Sequence, residues 1–130
     1  MLVPCEIAVK CVAPVIRALV AKELMQNYNL KQSDVAKLLG TTQATVSNYM
    51  RKVRGKAIDV GEDEEILASV KEIARLLSLH EAFPRKFISK FCYICTAIRR
   101  KGYMCKLHKR LEIGASLEEC DICLRKGRHP

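Results

Sequence analysis

Apolar side chains recur at helical spacing along the first part of the chain. Over residues 15–25 they fall three or four positions apart, until Asn27-Tyr28-Asn29 interrupts the pattern. Pro14 suits the first turn of this helix, and Pro4 suits the first turn of a shorter one over residues 5–10. The N-terminal segment therefore predicts two successive helices.

Two shorter apolar faces follow, with a tight turn between them. Four apolar residues within positions 35–39 form the first face, and Gly40 ends it because glycine readily takes the left-handed cap conformation. Thr42 is a suitable N-cap for the next helix. The apolar positions of that helix are Val46, Tyr49 and Met50.

One long amphipathic helix and a separate C-terminal segment complete the pattern. A basic loop over residues 52–61 leads to four carboxylates at 62–65, where the helix dipole favours them, and apolar residues then continue the helix to Leu77. Pro84 marks a boundary. Beyond it, four apolar residues are expected to pack one helix on the rest: Phe83, Phe87, Ile88 and Phe91.

These elements predict an all-α fold in two parts. The aromatic share is only 5% and Trp is absent, which favours helices packed on aliphatic side chains over strands. We expect a helical domain at residues 1–82 and a small cysteine-rich segment at 83–130.

The stretch from Gln32 to Tyr49 has the pattern of a helix-turn-helix. Two short helices that cross closely need a small residue at their contact, glycine where the chain reverses, and a β-branched residue that seats the second helix. Ala36, Gly40 and Val46 meet these requirements. The second helix, from Gln43 onward, is then the predicted recognition helix.

The polar residues of the recognition helix are expected on its outer face. Amides pair with adenine, the methyl groups of Ala and Thr contact the thymine methyl, and Arg reaches phosphate or guanine. The residues predicted from this pattern to contact DNA are Thr42, Gln43, Ala44, Thr45, Ser47, Asn48, Arg51 and Lys52.

The run Leu39-Gly40-Thr41-Thr42-Gln43-Ala44-Thr45-Val46-Ser47 resembles the Cro and phage-repressor-like (XRE) family of transcription regulators. The resemblance implies a λ-repressor-like helical bundle, with Gln32 opening the supporting helix and bracing a phosphate or Gln43. It also implies which side chains lie in the major groove: Gln43, Ala44, Thr45 and Asn48. The opening residues, within 2–17, are similar to archaeal members of the family.

The net charge of +9 is unevenly distributed along the chain. Residues 1–57 carry 9 Lys or Arg and 3 Asp or Glu, residues 58–82 carry 2 and 7, and residues 83–130 carry 12 and 4. Two basic ends around an acidic middle favour a polyanionic partner. With the helix-turn-helix, this predicts a regulator that binds double-stranded DNA as a homodimer. The alternative is an ordinary helical hairpin with a polar face.

Five of the seven cysteines lie within residues 92–130, which predicts metal or redox chemistry in a reducing compartment. Two C-x-x-C motifs and one cysteine between them form this cluster: Cys92, Cys95, Cys105, Cys120 and Cys123. Thiolates hold an iron–sulfur cluster or a tetrahedral zinc ion. A rival zinc set combines the first motif with Cys105 and His108.

Each kind of centre implies a different role. An iron–sulfur cluster would sense redox state or oxygen, whereas zinc would provide a structural module for dimerisation or protein docking. A thiol/disulfide redox enzyme is a further alternative, but no βαβ pattern surrounds either motif and we expect no enzyme. Cys5 and Cys11 are interpreted as small buried hydrophobes, and His80 and His129 as an element-end and a tail residue.

The chain offers no membrane-spanning pattern. No apolar run approaches the roughly 20 residues that a bilayer requires, and the first twenty residues lack the basic-then-apolar order of a signal peptide. We therefore expect a cytoplasmic protein.

Overall fold

The computed structural model describes residues 2–52, 55–80, 84–112 and 120–124, and every regular element within them is helical. The expectation of an all-α fold is confirmed for this part of the chain. The helices are α1 (Pro4–Ile7), a π-helical turn (Ala8–Val12), α2 (Ala13–Asn27), α3 (Gln32–Leu39), α4 (Gln43–Met50), α5 (Glu64–Ser78), α6 (Pro84–Arg100), α7 (Tyr103–Leu111) and a 3₁₀ turn (Ile122–Leu124).

The N-terminal segment is one continuous helical run, where the sequence predicted two separate helices. Ala8, Val12 and Ala13, at the junctions of the π-helical turn, all have right-handed helical backbone angles. Pro14 lacks an N–H, and in a regular α-helix its ring would clash with the carbonyl four residues earlier. The π-helical turn lies just before it, so the chain passes Pro14 without ending the helix.

Helix α2 lies at the centre of the molecule, where it contacts α3, α4, α5 and α6. Its Ile16 and Leu24 are fully buried, as are Ile73 on α5 and Ile98 on α6. These side chains belong to one hydrophobic core that includes residues from both predicted parts of the chain. The predicted boundary between residues 82 and 83 lies outside the described residues, so the division into two domains stays a prediction.

Helix α5 begins later than the sequence predicted. Asp63 is its N-cap and accepts a hydrogen bond from the Ile66 backbone N–H, so only Glu64 and Glu65 lie in the first turn. The carboxylate of an N-cap satisfies backbone N–H groups that have no helical partner. At the other end, His80 follows the helix with a positive φ of 54° and is exposed, as expected for an element-end residue.

Helix α6 packs against α2 and α5, but not all its predicted contacts form. Phe87 and Phe91 lie with ring centroids 5.7 Å apart, and the Arg17 guanidinium of α2 lies 5.5 Å from the centre of the Phe91 ring. Ile88, which we expected to pack, is 58% exposed. It lies about 100° around the helix from Phe87 and about 60° from Phe91, at the edge of the packed face. Phe83 and His129 lie outside the described residues.

A group of ionic contacts joins the turn between α6 and α7 to the start of α5. Lys101 Nζ lies 2.8 Å from Asp63 Oδ1 and 2.7 Å from Glu65 Oε2, and the Tyr103 hydroxyl donates to Asp63 at 2.9 Å. Hydrogen bonding to Lys101 is the main reason that the pKa of Asp63 falls to about 2. The same ammonium and the Tyr93 hydroxyl lower the pKa of Glu65. We call this group the Asp63 cluster.

No helix in the described residues is long and apolar enough to cross a membrane.

Candidate nucleic-acid interface

Helices α3 and α4 form a helix-turn-helix whose turn is fixed by one glycine. Gly40 has a φ of +66°, and the Thr41 N–H donates to the Ala36 carbonyl at 2.9 Å. A residue with a side chain is strained in this left-handed conformation, whereas glycine adopts it freely. The predicted chain reversal at Gly40 is confirmed.

The start of α4 is held by the side chain of Thr42. Its Oγ1 accepts a hydrogen bond from the Thr45 backbone N–H at 3.2 Å and lies 2.9 Å from Thr45 Oγ1. The predicted N-cap is therefore confirmed. It fixes the first turn of α4, the predicted recognition helix, where most of the candidate base contacts lie. At the start of α3, by contrast, the N-cap Lys31 makes no capping hydrogen bond with its side chain.

The two faces of α4 differ in the way that the sequence predicted. Val46 is fully buried and Tyr49 almost so, and they lie against the same core as Val35 and Ala36 of α3. The candidate DNA contacts remain accessible. Thr42, Gln43, Ala44, Arg51 and Lys52 are exposed, and Gln32, Thr45, Ser47 and Asn48 are half-buried.

Two candidate DNA contacts hydrogen-bond to each other at the end of α4. Arg51 Nη2 donates to Asn48 Oδ1 at 2.8 Å. Next to Arg51, Lys52 has a φ of +56°, a left-handed conformation that does not continue the α-helix. The sequence identified all three residues but not the bond between two of them.

Gly55 is a structurally important residue that the sequence analysis treated only as loop. Its φ is +75°, and a Cβ at this position would lie 2.6 Å from the Ala18 Cβ and 2.8 Å from the Pro14 carbonyl oxygen. The chain beyond the recognition helix therefore lies directly against α2. No feature of the sequence distinguishes this glycine from one in an ordinary loop.

The five predicted metal-binding cysteines lie on α6, on α7 and next to or within the 3₁₀ turn. Cys123 is buried, Cys95, Cys105 and Cys120 are half-buried, and Cys92 is exposed. Burial raises the pKa of Cys105, and hydrogen bonding to Cys123 raises it further. Burial also raises the pKa of Cys95, and Cys92, Cys5 and Cys123 lie near enough to add to this effect.

Cys123 thus lies near both Cys95 and Cys105, and Cys120 also lies near Cys105. We call the five predicted cysteines the thiol cluster. Cys5 was expected to be a buried hydrophobe, but it is exposed near Cys95 because the N-terminal run lies against the C-terminal helices. Cys11 is half-buried against the core, in partial agreement with the prediction. More than 85 residues separate Cys5 from Cys95, so nothing local in the sequence predicts this proximity.

No metal site is preformed in the described part of the chain, where no three His, Cys, Asp or Glu side chains are arranged to hold an ion. His108, the rival zinc ligand, has its Nε2 2.8 Å from Glu112 Oε2. Glu112 also accepts a hydrogen bond from the Leu2 backbone N–H at 2.9 Å. His108 therefore helps Glu112 to hold Leu2 against the end of α7. The His108 Nε2, which the rival zinc set would use as a ligand, already contacts Glu112.

Residues 12–67 match the family described as the ParB HTH domain. The match covers α2, α3 and α4, together with the chain beyond them into α5. The chain contains a helix-turn-helix DNA-binding domain. The match ends before the thiol cluster and does not confirm the XRE family, and no curated protein and no solved structure matches the chain.

Proposed function

We propose that the protein is a sequence-specific DNA-binding regulator of transcription, with no enzymatic activity, whose helix α4 enters the major groove. The observation that carries the proposal is the polar, accessible face of α4 on a helix-turn-helix that matches a DNA-binding family. The basic charge of the first 57 residues adds attraction to phosphate. The XRE assignment and an archaeal relationship remain expectations from the resemblance.

The test is selection of duplexes from a random DNA library by the full chain, followed by binding isotherms on the selected duplex. Gln43→Ala removes an exposed amide from the first turn of α4, and we expect it to lower discrimination at one base pair by about 1–3 kcal/mol. Gln26→Ala removes the same group from α2 and is expected to leave base preference unchanged. Equal binding of all duplexes by the wild-type protein would contradict the proposal.

We further propose that the protein binds as a homodimer to a pseudo-palindromic operator. A single helix-turn-helix contacts only one half-site, and dimers of such domains bind half-sites about one helical turn apart. Sedimentation of the complex with the selected duplex measures the stoichiometry. Recovery of a single half-site bound by one chain would contradict this proposal.

We propose that the thiol cluster binds a metal centre, with an iron–sulfur cluster favoured over zinc. The support is the position of Cys123 near both Cys95 and Cys105, since sulfur ligands suit both kinds of centre. Because no ligand set is preformed among the described residues, the thiols would have to rearrange, as happens where metal binding is coupled to folding. The centre would supply redox chemistry if it contains iron, and only cross-linking if it is zinc.

Protein purified without oxygen distinguishes these outcomes. Broad visible absorbance with iron and sulfide indicates a cluster, whereas a colourless protein with zinc indicates the structural role in dimerisation or docking. Metal-free protein that reduces disulfides catalytically would instead favour the thiol/disulfide enzyme. If a cluster is present, oxidation is expected to change affinity for the selected duplex, and unchanged affinity would contradict a sensing role.

A further inference from the structure

The hydrogen bond between Asn48 and Arg51 limits which base edge this part of α4 accepts. A guanidinium carries five N–H donors and no acceptor. The amide atom that faces Arg51 is therefore the carbonyl oxygen, as observed at 2.8 Å. The N–H groups that remain, on the Asn48 amide and on the guanidinium, are all donors, and they outnumber the one lone pair that Asn48 Oδ1 retains.

An unpaired asparagine has a different preference. It recognises adenine through two bonds at once, because its carbonyl oxygen accepts from the N6 amino group while its amino group donates to N7. In this protein the carbonyl oxygen already accepts from Arg51, and the guanidinium lies next to it. An adenine N6 amino group at this point would have to share that oxygen with Arg51 and would face the other guanidinium donors, which is unfavourable.

Guanine presents the complementary edge, since N7 and O6 are both acceptors in the major groove. We propose that Asn48 and Arg51 act as one donor-rich unit that selects guanine, with Arg51 positioning the Asn48 amide. The inference rests on the proposed function of α4 as a recognition helix. It differs from the adenine preference that an isolated asparagine predicts and from a role for Arg51 in phosphate binding alone.

The experiment uses the full chain and the duplex that it selects from a random library. Asn48→Ala identifies the contacted pair as the position where base preference is lost. At that pair we expect the wild-type protein to prefer G·C by about tenfold or more, the usual scale for one bidentate contact. Replacing the guanine by 7-deazaguanine removes the N7 acceptor and is expected to weaken wild-type binding but not binding by Asn48→Ala.

Arg51→Ala provides the decisive comparison. Release of the Asn48 carbonyl oxygen is expected to move the preference at this pair from G·C to A·T. The double variant is expected to have the same flat preference as Asn48→Ala. Lys52→Ala is the matched control, because it removes a neighbouring positive charge that does not bond to Asn48. This variant is expected to weaken binding to all duplexes alike.

Three outcomes would overturn the inference. A wild-type preference for A·T at the contacted pair excludes a donor-rich unit that selects guanine. An Arg51→Ala variant that loses affinity uniformly, as Lys52→Ala does, assigns Arg51 to phosphate alone. Binding of every duplex with equal affinity by the wild-type protein would instead overturn the proposed function, and the inference with it. Circular dichroism of each variant checks that α4 remains folded.

Discussion

The helix-turn-helix and the C-terminal helices are held in place by contacts of different range. Within the helix-turn-helix, the capping bond between Thr42 and Thr45 and the turn bond from Thr41 to Ala36 join residues three to five positions apart. In the C-terminal part, bonds from Lys101 and Tyr103 reach Asp63 across 38 and 40 positions. The shape of the DNA-binding motif is therefore specified locally, whereas the position of the C-terminal helices depends on the assembled fold.

This difference predicts where each region is vulnerable. A local motif fails when its own cap or glycine is replaced, and the damage should stay close to that residue. Helices that share one core should instead lose stability together, because unfolding of a single core is cooperative. Five experiments test this distinction, and they are arranged by the size of the expected effect.

The largest effect is expected from Ile98→Ala in α6. Ile98 is fully buried in the common core, and truncation of such a residue costs about 2–5 kcal/mol. Denaturant unfolding should show a single transition at lower denaturant concentration, with DNA binding lost in the same range. Ile88→Ala on the same helix removes an exposed side chain and should change stability by less than about 0.5 kcal/mol. Separate transitions for the two regions would show that they are independent.

Gly55→Ala is expected to destabilise the protein by about 2–3 kcal/mol, since strain and a backbone clash act together. An added Cβ meets both the Ala18 Cβ and the Pro14 carbonyl oxygen, and neither is the flexible end of a side chain. Gly61→Ala is the matched control because its nearest atom, Asp59 Oδ1, is at 3.4 Å. Thermal unfolding of both variants measures the difference. Equal stability of the two variants would mean that the loop does not lie against α2.

Asp63→Ala removes the N-cap of α5 and the centre of the Asp63 cluster. Loss of an N-cap costs about 0.5–2 kcal/mol, and we expect a total of about 2 kcal/mol because the contacts with Lys101 and Tyr103 are also lost. Glu62→Ala removes an exposed carboxylate just before the cap and should cost much less. Urea unfolding at pH 7 compares them.

The Asp63 cluster also predicts the pH dependence of stability. The pKa of Asp63 in the folded protein is about 2, below its ordinary value of 3.8, and the pKa of Glu65 is lowered as well. A carboxyl with a lowered pKa stabilises the folded state above its unfolded pKa, and this contribution is lost as pH falls through the folded pKa. Stability should therefore decrease from about pH 4 towards pH 2 in the wild-type protein and less steeply in Asp63→Ala. Parallel curves would rule out this explanation.

The smallest effect is expected from Thr42→Ala, at about 1 kcal/mol. The variant removes the oxygen that accepts the Thr45 N–H, whereas Thr42→Ser retains it and should be close to the wild-type protein. Because this contact is local, amide hydrogen exchange should accelerate mainly in the first turn of α4. Acceleration that extends into α6 would contradict the distinction between local and long-range contacts.

The same distinction explains what the sequence predicted well. The turn at Gly40, the Thr42 cap and the buried Val46 follow from residue types a few positions apart, and all three were predicted correctly. The sequence did not predict the exposure of Ile88 and of Cys5, because each depends on which helices pack together. The proximity of Cys5 to Cys95 and the close approach of Gly55 to α2 are likewise tertiary facts without a local pattern. The bond between Asn48 and Arg51 lies within one helix, but residue type alone does not distinguish it from two independent DNA contacts.

The π-helical turn Ala8–Val12 has a consequence for the length of the chain. Such a turn accommodates one residue more than the α-helical turn that it replaces. Deletion of one residue within it would restore a regular α-helix and keep the preceding residues on the same side of the helix, whereas the same deletion within α2 would rotate all preceding residues by about 100°. The regular helix, however, would bring Pro14 against the carbonyl four residues earlier. Sequences that share this fold but lack a proline at this point are therefore expected to be one residue shorter between Pro4 and α2.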